Sequence, residues 1–208
     1  MAIILRPAIA GPDDDAAVNL AVINWRLTPT LMPADRVQPE PLLATRRARH
    51  EKARNNPGTW LFLVAVDEES GVIVGHVDGG PAQAHDDELV ALGVDLDNTI
   101  ELLTLHVHPD YSRKGIGGTL TDAFFDWLPS GMHARQKCKQ QQALAETVSP
   151  LVPSESPTTC LVIVWTWLYN TKSKPFYLNR GAEVFMKSTL HYLGTDVPVI
   201  CFKWTVSI

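Results

Sequence analysis

The sequence has few cysteines and no long apolar run, and each shortage excludes a class of protein. The three cysteines, Cys138, Cys160 and Cys201, lie far apart without a CxxC spacing, so neither a disulfide framework nor a metal site is expected. No apolar stretch approaches the roughly 20 residues that span a bilayer. Residues 1–7 are too short an apolar start, and lack the basic residues, for a signal peptide. We therefore expect a cytoplasmic protein that does not bind a membrane.

Positive charge is also in short supply. The chain has 18 Lys and Arg against 23 Asp and Glu, a net charge of -5, whereas general nucleic-acid binders carry a basic stripe. Nucleic acid is therefore not an expected partner. The 208 residues, 45% of them hydrophobic, suit one domain with one core, and we expect residues 1–208 to form it. Whether it is a monomer or a homodimer stays open.

Apolar periodicity predicts the order β-α-α-β-β-β-α-β-α-β-β. Strand-like runs lie near residues 3–7, 60–66, 72–77, 100–108, 161–165, 184–192 and 199–206, and helical spacing is found near 12–25, 42–54, 115–128 and 175–179. This order predicts an α/β fold, a single domain with a mixed, mostly antiparallel central sheet flanked by helices.

Three segments interrupt that pattern. Residues 26–41 hold four prolines, residues 80–99 are acidic without Lys or Arg, and residues 129–159 form an expected variable insertion. Within the insertion, residues 136–146 could form an extra helix before three prolines break the chain. The helix at 42–54 carries five basic residues, a pattern that indicates a solvated basic face.

The most informative stretch runs from a strand through a glycine turn into a helix, Leu103-Thr104-Leu105-His106-Val107-His108-Pro109-Asp110-Tyr111-Ser112-Arg113-Lys114-Gly115-Ile116-Gly117-Gly118. Backbone N–H groups of such a turn and of the helix start point into one space and bind phosphate. Glycines let the ligand approach closely. The spacing matches neither a dinucleotide-binding fingerprint nor a Walker A loop.

This stretch resembles motif A of the GCN5-related N-acetyltransferases (the GNAT superfamily), which runs Leu-x-Val-x-Pro-x-Tyr/Phe and ends in Gly-x-Gly/Ala. The resemblance implies acetyl-CoA as co-substrate, with its pantetheine arm paired to the backbone of Leu105, His106 and Val107. It also implies that the pyrophosphate lies on the loop formed by Arg113, Lys114, Gly115, Ile116, Gly117 and Gly118. Ser112 stands where the family has Gln or Arg.

A second block, Asn170-x-x-x-x-Pro175-Phe176-Tyr177-x-x-x-Gly181, resembles the family's later Asn-x-x-Ala-x-x-Phe-Tyr-x-x-x-Gly-Phe pattern. By this resemblance Asn170 contributes to cofactor binding and Tyr177 is the general acid that protonates the departing thiolate. The expected strand order agrees with the family over roughly residues 2–206.

Acetyl transfer to an amine requires that the amine lose a proton. Glu101 is the first candidate for the base, because several members of the family have an acidic residue or histidine at this offset. Strand alternation places it with the odd-numbered residues, whereas Thr104, His106 and His108 share the opposite face. Either histidine is an alternative base, since histidine titrates near neutrality.

The resemblance implies transfer of an acetyl group from acetyl-CoA to a primary amine of a small molecule or peptide, by direct attack on the thioester. The acidic segment 80–99 favours a cationic acceptor, although the acceptor's identity stays open. The alternative is a non-catalytic acyl-CoA-binding module on the same scaffold. Glu101 and Tyr177 distinguish the two, because a binding module has no need of both.

Overall fold

The computed structural model describes residues 2–27, 39–83, 86–146, 159–192 and 194–208. The strands are β1 (Ile3–Pro7), β2 (Leu61–Asp67), β3 (Ile73–Pro81), β4 (Thr99–Val107), β5 (Thr159–Trp167), β6 (Glu183–Tyr192) and β7 (Thr195–Ser207). The helices are α1 (Pro12–Arg26), α2 (Pro39–Asn55), α3 (Asp86–Ala91), α4 (Ile116–Glu146) and α5 (Ser173–Asn179).

The strands form one sheet in the order β1-β2-β3-β4-β5-β7-β6. All neighbouring strands are antiparallel except β4 and β5, which are parallel. The predicted α/β fold with a mixed, mostly antiparallel sheet is therefore confirmed. β2 and β3 form an antiparallel hairpin.

Helices cover both faces of the sheet. On one side, called here the α4 face, buried residues of α4 and α5 pack against strands from both halves of the sheet. Leu120 and Phe124 of α4 lie in this layer, with Val77, Val162 and Phe202 of the strands. The opposite side, called here the α1 face, is covered by α1 and α2, which bury Val18, Trp25 and Leu42. Apolar side chains of the strands alternate between these two layers, as expected for a sheet covered on both faces.

Two segments differ from the sequence prediction. The helix expected to end near residue 128 continues through Pro129 to Glu146, since Met132 is buried and Arg135 donates hydrogen bonds to the carbonyls of Leu96 and Thr99. These contacts beyond Pro129 offset the one backbone hydrogen bond that proline removes. The acidic segment 80–99 contains α3 and a short 3₁₀ turn. Residues 28–38 of the proline-rich segment, and 147–158 of the expected insertion, lie outside the described residues.

The expectation of a fully solvated basic face on α2 is wrong for three residues. Arg54 Nη1 donates to the buried Asp14 carboxylate of α1 over 2.7 Å. Arg46 is 3% exposed and its guanidinium lies 5.6 Å above the Trp25 ring. Arg49 Nε donates to the Asp78 carboxylate of β3 over 2.7 Å. Buried carboxylates on the sheet and on α1 pair with cations of α2, which a charge pattern along one helix does not reveal.

Candidate active site

The parallel contact between β4 and β5 is short. The two strands are in register only at Thr99 with Leu161, Ile100 with Val162, and Glu101 with Ile163. Beyond these pairs β4 stays bonded to β3 as far as Val107, and β5 stays bonded to β7 as far as Trp167. The sheet therefore opens between residues 102–107 of β4 and 164–167 of β5, and Glu101 lies at the closed end of this opening.

Backbone groups of β4 face the opening. The N–H of His108 donates to the Val74 carbonyl of β3. Because backbone direction alternates along a strand, the N–H and C=O groups of Leu105 and Val107 point away from β3, toward β5. The Val107 carbonyl accepts a hydrogen bond from Asn24 Nδ2 of α1 over 3.0 Å. The predicted strand segment Leu105, His106 and Val107 therefore borders the opening.

A β-bulge changes which residues share a face of β4. Thr104 is opposite Asp78 and Leu102 is opposite Gly79, so Leu103 is an extra residue between them. Strict alternation placed Glu101 on the face opposite Thr104 and His106, and that prediction is wrong. The side chains of Ile100 and Leu102 pack on the α4 face, as do those of Leu105 and Val107 beyond the bulge.

The consequence is a polar row on the α1 face of β4 made by Glu101, Thr104 and His106. His106 lies 6.2 Å from the Trp25 ring of α1, which in turn lies 5.4 Å from the Trp167 ring of β5, measured between ring centroids. Two tryptophans thus line this side of the opening where it is widest. His108 lies past the end of β4 and caps a 3₁₀ turn by accepting a hydrogen bond from the Asp110 N–H.

The glycine turn presents a row of free amides at the open end. Among the described residues, none accepts a hydrogen bond from the N–H groups of residues 113–118, whereas the Thr119 N–H donates to the Gly115 carbonyl. Arg113 and Gly115 have positive φ angles of 61° and 85°, and left-handed residues beside a helix start form an anion-binding concavity. The predicted loop of Arg113, Lys114, Gly115, Ile116, Gly117 and Gly118 therefore has the geometry of a phosphate site.

Side chains of α5 and of the residue after it lie against this loop. A Cβ on Gly117 would meet the Phe176 ring at 3.6 Å, and one on Gly118 would lie 3.2 Å from Nη1 of Arg180. The loop is therefore closely flanked by α5 and the residue after it. Lys114 places its ammonium 4.7 Å from the centroid of the Tyr111 ring.

Glu101 is 4% exposed, and one of its carboxylate oxygens accepts the Gln83 N–H over 2.7 Å. Burial, and then the nearby Glu101 carboxylate, raise the pKa of the Cys201 thiol to about 12, which places the carboxylate on the α1 face. Glu101 is therefore a buried carboxylate at the closed end of the opening.

The histidines of this face are held in the neutral form. Burial, together with the charges of His76 and Arg46, lowers the pKa of His106 well below its usual range. Burial and Arg46 do the same to His76, whose ring centroid lies 5.3 Å from that of His106. Neither ring nitrogen of His76 makes a well-formed hydrogen bond with a described residue, although the Ala17 carbonyl lies close enough to raise its pKa slightly.

Tyr177 lies on the α4 face and is 6% exposed. Its ring centroid lies 5.6 Å from that of Phe202 and 5.9 Å from that of Trp204. Within the described part of the chain no group hydrogen-bonds the Tyr177 hydroxyl. Burial raises the pKa of Tyr177 above its ordinary value, so the phenol keeps its proton at neutral pH.

The Asn170 side chain is engaged at the start of α5. Its Oδ1 accepts hydrogen bonds from the N–H groups of Lys172 and Ser173 over 3.2 and 3.3 Å. These two bonds form an Asx turn that leads into α5, whose own N-cap residue is Lys172. Through it Asn170 positions the helix that carries Phe176 and Tyr177, and any contact of Asn170 with cofactor stays a prediction.

The sequence analysis missed two features beside the opening. One is the buried carboxylate of Asp78, which accepts hydrogen bonds from Thr104 Oγ1 and from Arg49 Nε. Burial alone would raise the pKa of Asp78, but Arg49, His50, Arg46 and the Thr104 hydrogen bond bring it below its usual range. A lone Asp in a strand-like run gave no signal for this, because the partners lie 29 and 26 residues away.

The second missed feature is Arg180, which follows α5 directly. It forms an ion pair with Asp122 of α4 and lies against Gly118 of the loop. The sequence places Asp122 on one predicted helix and Arg180 directly after another, but cannot show that these two helices meet.

The arrangement fits a ligand with an extended amide-bearing arm and a diphosphate. The arm's amides match the backbone groups of Leu105 and the Val107 N–H, which face the opening, and the diphosphate matches the six free N–H groups of the loop. Within the described residues no group of three or more His, Cys, Asp or Glu side chains could hold a metal. None of the described helices combines the length and hydropathy needed to cross a membrane.

Solved structures of acetyltransferases have the same fold. The PaiA N-acetyltransferase of Thermoplasma acidophilum, in complex with coenzyme A, has a TM-score of 0.62 at 17% identity, over 98% of this chain and 100% of that one. The ribosomal-protein-alanine N-acetyltransferase of Brucella melitensis has a TM-score of 0.58 at 16% identity, over 98% and 99%. YncA of Salmonella typhimurium, with its cofactor acetyl-CoA, has a TM-score of 0.54 at 18% identity, over 98% of this chain and 94% of that one.

The sequence comparison agrees with this fold. No curated protein matches the chain, but the family model described as acetyltransferase (GNAT) family matches residues 21–144, more than half of the chain. The matched segment includes β4, the glycine loop and most of α4. The chain therefore belongs to the GNAT family of acetyltransferases, whose members use acetyl-CoA as their co-substrate.

Proposed function

We propose that the protein is an N-acetyltransferase that moves the acetyl group of acetyl-CoA to a primary amine of a small molecule or peptide. The observation that carries this proposal is the opening between β4 and β5, with free amides at its wide end and Glu101 at its closed end. Such an opening holds the thioester beside a carboxylate, which is what amine acetylation requires.

Acetyl-CoA supplies an electrophilic thioester carbonyl when it is bound. The amine nitrogen attacks this carbonyl, the new C–N bond forms, and the C–S bond breaks to release CoA thiolate. Because the amine arrives protonated, its nitrogen loses two protons: Glu101 accepts one before the attack, and solvent takes the other after it. Tyr177 donates a proton to the thiolate, and exchange with solvent then returns Glu101 and Tyr177 to their starting protonation states. The backbone N–H groups of β4 that face the opening stabilise the negative charge on the carbonyl oxygen.

The buried position of both side chains has consequences for these roles. Glu101 accepts the Gln83 N–H, and this hydrogen bond helps to orient the carboxylate that we propose takes the amine's proton. Because burial holds the proton on Tyr177, its hydroxyl acts as a hydrogen-bond donor to the sulfur until the thiolate takes the proton.

The acceptor is proposed to be cationic. Leu89 of α3 packs against Ile163 and Cys201 on the α1 face, on the same side as Glu101. The neighbouring carboxylates of Asp87 and Glu88 are exposed, and Glu88 accepts a hydrogen bond from Ser188 of β6. Exposed carboxylates beside the closed end attract an amine that arrives protonated.

One observation favours the alternative, a non-catalytic acyl-CoA-binding module. Glu101 and Tyr177 are 4% and 6% exposed, and side chains so deeply buried can serve packing alone. An N-acetyltransferase and a binding module would both bind acetyl-CoA, but only the enzyme would transfer its acetyl group to an amine.

The test is acetyl-CoA incubated with the protein and a panel of polyamines, amine-bearing metabolites and basic peptides. Release of free thiol is followed with a thiol reagent, and the acetylated product is identified by mass spectrometry. We expect thiol release that depends on the amine and yields an amide. Tight binding of acetyl-CoA without turnover on any amine would support the binding module.

A further inference from the structure

We propose that Arg180 binds a phosphate group of coenzyme A beside the amide row of residues 113–118. The inference rests on acetyl-CoA as the family's co-substrate and is independent of the amine acceptor. It names a cation that the motif resemblance did not include, and it assigns Asp122 the role of holding that cation in place.

The backbone of Arg180 is fixed by its surroundings. Its carbonyl accepts a hydrogen bond from Trp204 Nε1 of β7 over 3.0 Å, and its N–H donates to the Tyr177 carbonyl. Gly181 then turns the chain with a φ angle of 80°. These contacts use main-chain atoms of residue 180, so the side chain can be changed without removing them.

The guanidinium lies directly on the phosphate loop. Nη1 is 3.2 Å from the position that a Cβ on Gly118 would take, and Gly118 carries the last free N–H of the row. The guanidinium carbon lies 5.7 Å from the centroid of the Phe176 ring. A positive charge therefore stands beside the amides, where it adds to their attraction for an anion.

The guanidinium has donors to spare. Nη2 donates to Asp122 Oδ1, whereas Nε is buried and has no hydrogen-bond partner. Among the described residues Asp122 is the partner of this side chain. An arginine offers five N–H donors, and those of Nη1, which lies against Gly118, can bind phosphate oxygens. Asp122 lies one turn beyond Gly118 on α4 and is itself 65% exposed, so its carboxylate anchors the arginine at the loop from the solvent side.

The other two cations of the loop are placed less favourably. Lys114 lies over the Tyr111 ring, and Arg113 is exposed. The Arg180 side chain is only 25% exposed, so binding costs it less side-chain entropy than it would cost a free surface cation. A surface depression lined by Asp122, Phe125, Asn179, Arg180 and Trp204 lies next to it and gives room for the nucleotide end of the ligand.

Coenzyme A carries phosphate in two places, the diphosphate and the 3′-phosphate of the ribose. The test therefore measures the Kd of coenzyme A and of 3′-dephospho-coenzyme A by calorimetry, without an amine, for the wild type and for Arg180→Met. We expect Arg180→Met to weaken coenzyme A binding roughly tenfold or more, the loss typical of one hydrogen bond to a charged group. Equal losses for both ligands place Arg180 on the diphosphate, and a loss confined to coenzyme A places it on the 3′-phosphate.

Three further variants keep the test decisive. Arg180→Lys retains the charge and should recover part of the affinity, and it carries the test if Arg180→Met does not fold. Asp122→Asn keeps an acceptor oxygen for the guanidinium but removes the charge of the anchor, and should weaken coenzyme A binding less than Arg180→Met does. Arg47→Met removes an equal charge from an exposed residue that pairs with Asp15 and should leave the affinity unchanged.

The proposal is overturned if both Arg180 variants bind both ligands with wild-type affinity and differ only in Tm. It is also overturned if Arg47→Met weakens binding as much as Arg180→Met does. The first result would make the pair a clamp between α4 and α5, and the second would make the effect one of overall charge. Because these measurements contain no amine, a failure of the proposed amine acetylation would leave them unaffected.

Discussion

Glu101 on β4 and Ile163 on β5 form the last residue pair through which these two strands are in register. Six further residues of β4 continue beyond Glu101, a span of about 20 Å at the usual rise of a strand. This length separates a buried carboxylate from the free amides of the glycine loop. The proposed roles of both ends can be tested separately.

The phosphate loop should not tolerate a negative side chain. Gly117→Asp should abolish the thermal stabilisation that acetyl-CoA gives to the wild type, because the carboxylate occupies the phosphate position and repels it. The fold should survive, since a Cβ at Gly117 meets Phe176 and Val107 only at ordinary contact distances of 3.6 to 3.7 Å, and an acidic residue suits a helix start. Ser130→Asp, an exposed position further along α4, is the control. A full thermal shift in Gly117→Asp would remove the loop from the cofactor site.

Glu101→Gln should lower kcat because the amide cannot accept the amine's proton. The acidic limb of the pH–rate profile, where a carboxylate base becomes protonated, should shift or vanish, and raising the pH should partly restore the rate. His106→Gln and His108→Gln are the matched comparisons. If a histidine variant flattens the profile while Glu101→Gln keeps it, the base is that histidine. If none of the three has an effect, the enzyme acts mainly by positioning.

Tyr177→Phe separates chemistry from packing. The hydroxyl has no hydrogen-bond partner among the described residues, so its removal should change the free energy of unfolding by less than about 1 kcal/mol. If the hydroxyl is the acid, kcat should fall roughly 100-fold with the Kd for acetyl-CoA unchanged. Tyr177→Ala should instead destabilise the protein by about 3–5 kcal/mol, measured by urea unfolding. Unchanged kcat in Tyr177→Phe would leave Tyr177 a core residue.

The sequence predicted the strands, the main helices and the position of the glycine loop because each depends on local periodicity or on glycine. It misplaced Glu101 relative to Thr104 because the extra residue Leu103 has no local sign. It missed the contacts of Asp78 and Arg180 because long-range pairing decides them. The strand β4 and the glycine loop after it were predictable because neighbouring residues form them. The contacts of Asp78 and Arg180 were not, because they join residues that are distant in the sequence.

The Thr104 hydroxyl should stabilise the fold through Asp78. Thr104→Val keeps the shape but removes the donor to the buried carboxylate, which should lower the free energy of unfolding by about 1–3 kcal/mol. Thr104→Ser keeps the hydroxyl and should remain the more stable of the two variants in urea. Equal stabilities would show that Arg49 alone satisfies Asp78.

Acidification below neutrality should destabilise the protein through its buried histidines. Burial lowers the pKa of His76, His106 and His50 in the folded state, so below about pH 6.5 the unfolded chain binds protons that the folded chain does not. Stability is then full above that pH and falls as pH drops, by at most about 1.4 kcal/mol per pH unit for each group.

Urea unfolding at pH 7, 6 and 5 measures this loss, and His76→Gln should show a smaller one. The carboxylates of Asp14 and Asp78, whose pKa values are lowered, act in a different window. Their contribution is present above the unfolded pKa near 4 and is lost only as pH falls further. Equal stability of the wild type at pH 7 and pH 5 would contradict the assignment of neutral histidines.

The three-pair contact between β4 and β5 also has a mechanical meaning. Strands β1 to β4 come from residues 3–107 and strands β5 to β7 from residues 159–207, so the sheet consists of two plates joined along one short line. A force that pulls the plates apart meets few backbone hydrogen bonds there, and the resistance comes from the core under α4, whose buried residues touch both plates. Under an applied force the two parts of the sheet should separate first between β4 and β5. A molecule bound to both strands would raise the force needed to separate them.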